Sequence, residues 1–149
     1  MIELHAVDDV IRARLAARDL VRQAGLGVLD QARLVTAVSE LGRNVVRHAR
    51  AGLCELADLS DATHIRLRAI VSDTGPGIAD LNQAMADGFS TTGSLGAGLP
   101  ATRRIVDIFD IRSSPTGTCV TVQIVRKRPV PLPAATGTPT SPIATEGTC

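Results

Sequence analysis

The chain has 149 residues, 44% of them hydrophobic and 21% charged, with a formal net charge of +1, which is enough for one domain with a real core. Trp and Tyr are absent and Phe89 and Phe109 are the only Phe residues, so the core is aliphatic and stacking of bases on aromatic platforms is excluded. Without a basic excess, no nucleic-acid partner is expected.

No apolar run nears the roughly 20 residues that cross a bilayer, and acidic residues stand near the start where a signal peptide carries a positive region. No membrane partner and a cytoplasmic location are therefore expected. Cys54, Cys119 and Cys149 are too few and too far apart for a disulfide framework or a metal knuckle.

Ile2, Leu4 and Ala6 alternate with polar residues as in a short strand. Asp8-Asp9 then offers an N-cap for a helix over Val10 to Ala24, closed by Gly25-Leu-Gly27. With Asp30 near its start, a second helix runs to about Arg50. Along it Leu34, Val38, Leu41 and Val45 recur at helical spacing, which puts Glu40 and Asn44 on one side. Leu53 to Leu59 and Ile65 to Ser72 read as a hairpin with a loop from Ser60 to His64, and its second strand delivers Asp73.

A short helix around Asp80 to Met85 precedes Asp87-Gly-Phe-Ser-Thr-Thr-Gly93, a stretch with few anchoring apolar groups that is expected to act as a mobile lid. Helical spacing returns from Leu99 to Phe109, with Pro100 in the first turn. Strands at Asp110 to Ser114 and Thr118 to Arg126 flank the turn Pro115-Thr-Gly117. Arg126-Lys-Arg128 reads as a solvated strand end. Beyond it the composition shifts to Pro, Thr, Ala and Gly with almost no charge, so 1–128 is the expected domain and 129–149 a disordered tail.

Three features carry chemistry together that none carries alone. A carboxylate such as Glu40 can orient and deprotonate an attacking hydroxyl, and an Asn amide oxygen such as that of Asn44 is a hard neutral ligand suited to Mg²⁺. Asp73 follows a strand and precedes Gly75 and Gly77, so it can accept from an exocyclic amine beside closely approaching backbone. Gly93, Gly96 and Gly98 lead into a helix, where bare N–H groups form an anion site. No Gly-Lys-Ser/Thr follows, which excludes a P-loop, and the strand and ribose acid of a dinucleotide fold are missing.

In this order, Glu40 with Asn44, Asp73-x-Gly75-x-Gly77, Gly93 to Gly96-x-Gly98-Leu99 and Gly117-Thr118 resemble the N, G1, G2 and G3 boxes of the GHKL ATPase superfamily. Asp30-Gln-Ala-Arg33, Thr36-Ala-Val-Ser-Glu40, Asp87-Gly-Phe-Ser-Thr91 and Leu95-Gly-Ala-Gly-Leu-Pro100 further resemble its RsbT-like serine/threonine switch kinases, relatives of the anti-sigma-factor kinases. The likeness covers about residues 1–126. It implies an α/β (α+β) two-layer sandwich with a mixed sheet and helices on one face, the Bergerat ATP-binding fold, with ATP and Mg²⁺ as cofactors.

The resemblance also implies roles. Glu40 is the catalytic base, Asn44 the Mg²⁺ ligand and Asp73 the acceptor for adenine N6. Gly75 and Gly77 shape the purine pocket, and Thr118 supports the adenine. Gly96 and Gly98 meet the phosphates, with Gly93, Ala97 and Leu99 in the same run, and Ser90, Thr91 and Thr92 belong to the lid. Arg43 and His48 flank the site on the same helix. The implied activity is phosphorylation of Ser or Thr on a STAS-domain antagonist or stressosome scaffold, followed by a switch of partner to a PP2C-type phosphatase. A nucleotide-dependent, anti-sigma-like sequestering module without phosphotransfer is the alternative, and the presence of Glu40 argues against it.

Overall fold

The computed structural model describes residues 1–86 and 98–129. In chain order the elements are β1 (Ile2–Leu4), α1 (Val7–Gln23), α2 (Val28–His48), β2 (Gly52–Asp58), β3 (His64–Asp73), α3 (Leu81–Ala84), α4 (Gly98–Ile105), β4 (Ile108–Ser114) and β5 (Gly117–Lys127). The expected lid and its residues Ser90, Thr91, Thr92, Gly93, Gly96 and Ala97 lie outside the described residues, as does the tail from 130 onward.

Asp9 starts α1 from inside the helix, not as its cap. Ala6 is the N-cap, and Asp9 reaches back to accept from the backbone N–H groups of His5 at 2.8 Å and Ala6 at 2.9 Å. One carboxylate thus satisfies donors that the helix start would otherwise leave open. Hydrogen bonding from Arg12, then from His5 and Ala6, holds its carboxyl at a pKa of about 2. That stabilisation is present above the usual carboxylate range and is lost as pH falls through about 2.

The second helix, α2, carries the core. Leu34, Val38, Leu41 and Val45 are at most 2% exposed, and each contributes roughly 1.5–3 kcal/mol by leaving water. Where α1 crosses it, a Cβ on Gly42 would lie 3.2 Å from Val10 Cγ1, so the absent side chain lets the two helices approach closely.

Both helices pack on one face of a five-stranded sheet ordered β1-β2-β3-β5-β4. Alternation in the strands supplies that face: Cys54 from β2, Ile65, Leu67, Ala69 and Val71 from β3, and Val120, Val122 and Ile124 from β5 are buried. The layered α+β class is as expected, but the sheet is antiparallel at each of its four pairings where a mixed one was expected. The reason is that β5 inserts between β3 and β4, which run parallel to each other without touching.

Two local expectations are corrected by long-range pairing. The helix expected over Leu99 to Phe109 ends at Ile105, because Ile108 and Phe109 pair with Gln123 and Val122 of β5 and extend β4 instead. A partner strand outweighs the helical spacing of three apolar residues. Nor is the basic run at the end of β5 simply solvated. Arg126 binds Asp30 of α2 through Nε at 3.2 Å and again through Nη2, and donates Nη1 to Asp107 Oδ2 at 2.8 Å, tying the start of α2 to the turn before β4.

Candidate functional site

Glu40, Asn44 and His48 lie at i, i+4 and i+8 on α2, one stripe of the helix surface. Each is part-buried, at the border of the apolar arc rather than on its wet side. Asn44 and His48 line a cleft between α2 and the sheet, with Leu41, Val45, Val71, Ile78, Leu99 and Val120 as its apolar wall. Asp73, Gly77 and Thr118 close the same cleft.

At one end of this cleft, the register of the sheet decides the chemistry. Val71 faces Val120 across β3 and β5, and two residues further along the same face come Asp73 and Thr118. Asp73 Oδ1 accepts from the backbone N–H of Gly75 at 2.8 Å and from that of Thr118 at 3.2 Å. With Oδ1 so occupied, no hydrogen bond among the described residues reaches Oδ2. The carboxylate therefore keeps Oδ2 as an acceptor that these residues do not use.

Glycine is required around this carboxylate for steric reasons. Gly77 has φ of +74°, and a Cβ there would lie 2.0 Å from the Ser114 carbonyl oxygen. At Gly117, with φ of +154°, a Cβ would lie 2.1 Å from the Asp73 carbonyl oxygen. Each is a place where L side chains are both strained and excluded. Gly75 is also close-packed, since its Cβ would meet that of Ala49 at 2.9 Å.

A residue without an expected role completes this end. Ser113 Oγ shares a 2.9 Å hydrogen bond with Thr118 Oγ1 and accepts from the backbone N–H of Ile78 at 2.8 Å. It links β4, β5 and the loop after Asp73. The sequence held one clue, the alternation of Phe109, Ile111 and Ser113 toward the core face of β4, but its partner lies 35 residues away at Ile78.

The other end is built from longer side chains. Glu40 Oε1 accepts from Arg43 Nη1 at 2.6 Å, with the Glu40 side chain 31% exposed. A Cβ on Gly98, the first residue of α4, would lie 3.1 Å from Glu40 Oε2 and 3.7 Å from Asn44 Nδ2. Bare backbone at a helix start thus sits directly against the carboxylate and the amide. Thr102, fully buried, holds that first turn by donating its hydroxyl to the Gly98 carbonyl at 2.7 Å. Leu99 adjoins it in the cleft wall.

Among the described residues no three His, Cys, Asp or Glu side chains cluster as a metal-binding group. A single neutral amide beside the start of α4 fits a cation held mainly by water and phosphate oxygens, as Mg²⁺ is, and does not fit a protein-caged metal. Of the expected site residues, Asn44, Asp73, Gly77, Leu99 and Thr118 line one cleft, Gly75 adjoins it through Asp73, and Glu40 and Gly98 adjoin each other beside Asn44. No helix among the described residues is long and apolar enough to cross a membrane.

Comparison with known proteins agrees with this architecture. The histidine kinase-like ATPase domain family matches residues 5–124. The serine/threonine-protein kinase RsbT of Bacillus subtilis (strain 168) is 43% identical over 105 residues, which span 70% of this chain and 79% of that protein. Among solved structures, the histidine kinase domain from the Erythrobacter litoralis EL346 blue-light activated histidine kinase superposes with a TM-score of 0.51 at 22% identity, over 78% of this chain and 63% of that one. The mycobacterial sensor histidine kinase MprB gives a TM-score of 0.52 at 19% identity, over 83% and 95%. These two show the shared fold. With a family match over most of the chain and a relative at 43% identity, the chain belongs to the histidine kinase-like ATPase domain family, as a protein kinase of the RsbT type.

Proposed function

We propose that the protein transfers the γ-phosphoryl group of Mg-ATP to a Ser or Thr hydroxyl on a STAS-domain antagonist or stressosome scaffold in the cytoplasm, and that it then exchanges this partner for a PP2C-type phosphatase. The observation that carries the reading is the polarity of the cleft. Asp73, with one oxygen held by backbone N–H groups, and Thr118 line it from the sheet, and Asn44 lines it from α2, where Glu40 and the start of α4 adjoin that amide, with an apolar wall completing the cleft. That is the order of features along ATP from its purine to its phosphates.

In this reading Asp73 Oδ2 accepts from adenine N6, Thr118 supports the ring, and Gly75 and Gly77 shape the loop beside it. Gly98 and Leu99 bring the start of α4 to the phosphates, together with Ser90, Thr91, Thr92, Gly93, Gly96 and Ala97 of the preceding segment. Asn44 would hold Mg²⁺, which when bound neutralises phosphate charge. Glu40 takes the proton of the attacking hydroxyl as its oxygen bonds to the γ-phosphorus, and the bond to the β-bridging oxygen breaks to release ADP. Residues 1–128 form the kinase domain and 129–149 a tail, so truncation after Arg128 leaves folding and ATP binding unchanged.

The test is incubation with γ-labelled ATP, Mg²⁺ and a purified STAS-domain protein. Label on a Ser or Thr of that protein is the expected result. Binding without label would overturn phosphotransfer and leave a nucleotide-dependent sequestering module.

A further inference from the structure

Ser113 stands directly opposite Thr118 in the register of β4 and β5, and the Thr118 backbone N–H donates to Asp73 Oδ1 at 3.2 Å. The three residues form one row across β4, β5 and β3, on the face of the sheet that packs against the helices. Asp73 and Thr118 line the cleft, and Ser113 stands behind Thr118 on the edge strand. The direction of the hydrogen bonds along this row decides which groups are left for a ligand.

A hydroxyl has one hydrogen to donate and two lone pairs to accept with. Ser113 Oγ uses one lone pair on the Ile78 backbone N–H at 2.8 Å, and its 2.9 Å bond to Thr118 Oγ1 can run either way by distance alone. Neither hydroxyl has a further hydrogen-bond partner among the described residues. Accepting from Ile78 polarises the Ser113 O–H and makes it the stronger donor of the two, because hydrogen bonds that run the same way along a chain reinforce one another. The chain then runs from Ile78 N–H to Ser113 and from Ser113 to Thr118, and it leaves the Thr118 hydrogen for the occupant of the cleft.

Beside that donor, Asp73 keeps Oδ2 as an acceptor that the described residues do not use. An acceptor next to a donor complements adenine, whose N6 amine donates and whose N1 accepts. Guanine presents O6 and N1–H, the reverse pair. With the Ser113–Thr118 bond reversed, the Thr118 hydroxyl would only accept, and this distinction would be lost.

We propose that Ser113 is a positioning residue for the purine: by donating to Thr118 Oγ1 it directs the Thr118 hydroxyl hydrogen to adenine N1, and so favours adenine over guanine from a position that does not touch the ring. The inference rests on the reading of Asp73 and Thr118 as the purine end of an ATP site.

The test is an equilibrium titration of the full chain with ATP and with 1-deaza-ATP, which carries C–H in place of N1. The parent should bind ATP about tenfold more tightly than 1-deaza-ATP. In Ser113→Ala this gap should close to within about twofold, because ATP affinity falls about fivefold while 1-deaza-ATP affinity hardly moves. Thr118→Val, which keeps the backbone N–H to Asp73, should close the gap as well, and adding Ser113→Ala to it should change the ratio no further. Ser113→Thr, which keeps a hydroxyl, should retain the gap. Should Ser113→Ala not fold, Ser113→Cys, close in size and a weak donor, is read in the same way.

Equal loss of affinity for both nucleotides in Ser113→Ala would overturn the proposal, since that is the mark of a merely structural serine. So would a parent that binds ATP and 1-deaza-ATP equally, a result that leaves ATP binding itself standing. A parent that binds neither nucleotide would remove the ATP reading, and this inference with it.

Discussion

The two ends of the nucleotide cleft are built by different means. Around Asp73 the parts are backbone N–H groups, a short serine and threonine, and glycines at positions that exclude a Cβ, and they are drawn from β3, β4, β5 and one loop. Few rotamers are available there, so the carboxylate has one orientation. Around Glu40 the parts are long side chains on a single helix, approached by the bare start of α4, and the carboxylate is shared with an arginine. The end that the proposed mechanism uses for recognition is held by the sheet. The end that the proposed mechanism uses for chemistry is held by a side-chain ion pair on one helix.

This contrast can be broken from either side. The largest expected effect is on transfer: Glu40→Ala should lower the phosphotransfer rate by about 10²–10⁴ while ATP affinity is retained, as read by single-turnover labelling beside a nucleotide titration. Equal transfer by the variant would remove Glu40 from the base role. Next, Gly77→Ala should lower the melting temperature and weaken nucleotide binding. A side chain in left-handed backbone costs roughly 1–2 kcal/mol before the clash with Ser114 is relieved.

Asp73→Asn probes recognition without disturbing the turn. Its Oδ1 can still accept from Gly75 and Thr118, which places an NH₂ group where the second acceptor stood. Two donors would then face each other, and ATP affinity should fall about 10- to 100-fold with little change in melting temperature. A variant that melted early yet bound ATP normally would reverse the assignment. The smallest effect is expected for Ser113→Ala, roughly 0.5–1.5 kcal/mol of stability with a modest loss of ATP affinity, measured by denaturant titration.

Much of the Glu40 end was legible in the chain. Glu40 and Asn44 stand on one helical stripe because 3.6-residue periodicity is local, and Leu34 to Val45 set which way that helix turns. Asp73 at a strand end followed by two glycines was equally local. Ser113 was not legible, nor was the early end of α4 at Ile105, because each depends on β5 arriving between β3 and β4. Likewise, Arg126 reads as one more basic residue until tertiary folding brings Asp30, 96 positions earlier, to meet it.

The sequence by itself determined the order of elements, the aliphatic core and the separate pieces of a nucleotide site, since these follow from spacing within a few residues. Only the tertiary structure decided that one oxygen of Asp73 takes the backbone N–H of Thr118, and that Gly98 comes to rest against Glu40 and Asn44. Those facts depend on strand register and helix packing between distant segments, and local periodicity carries no record of either.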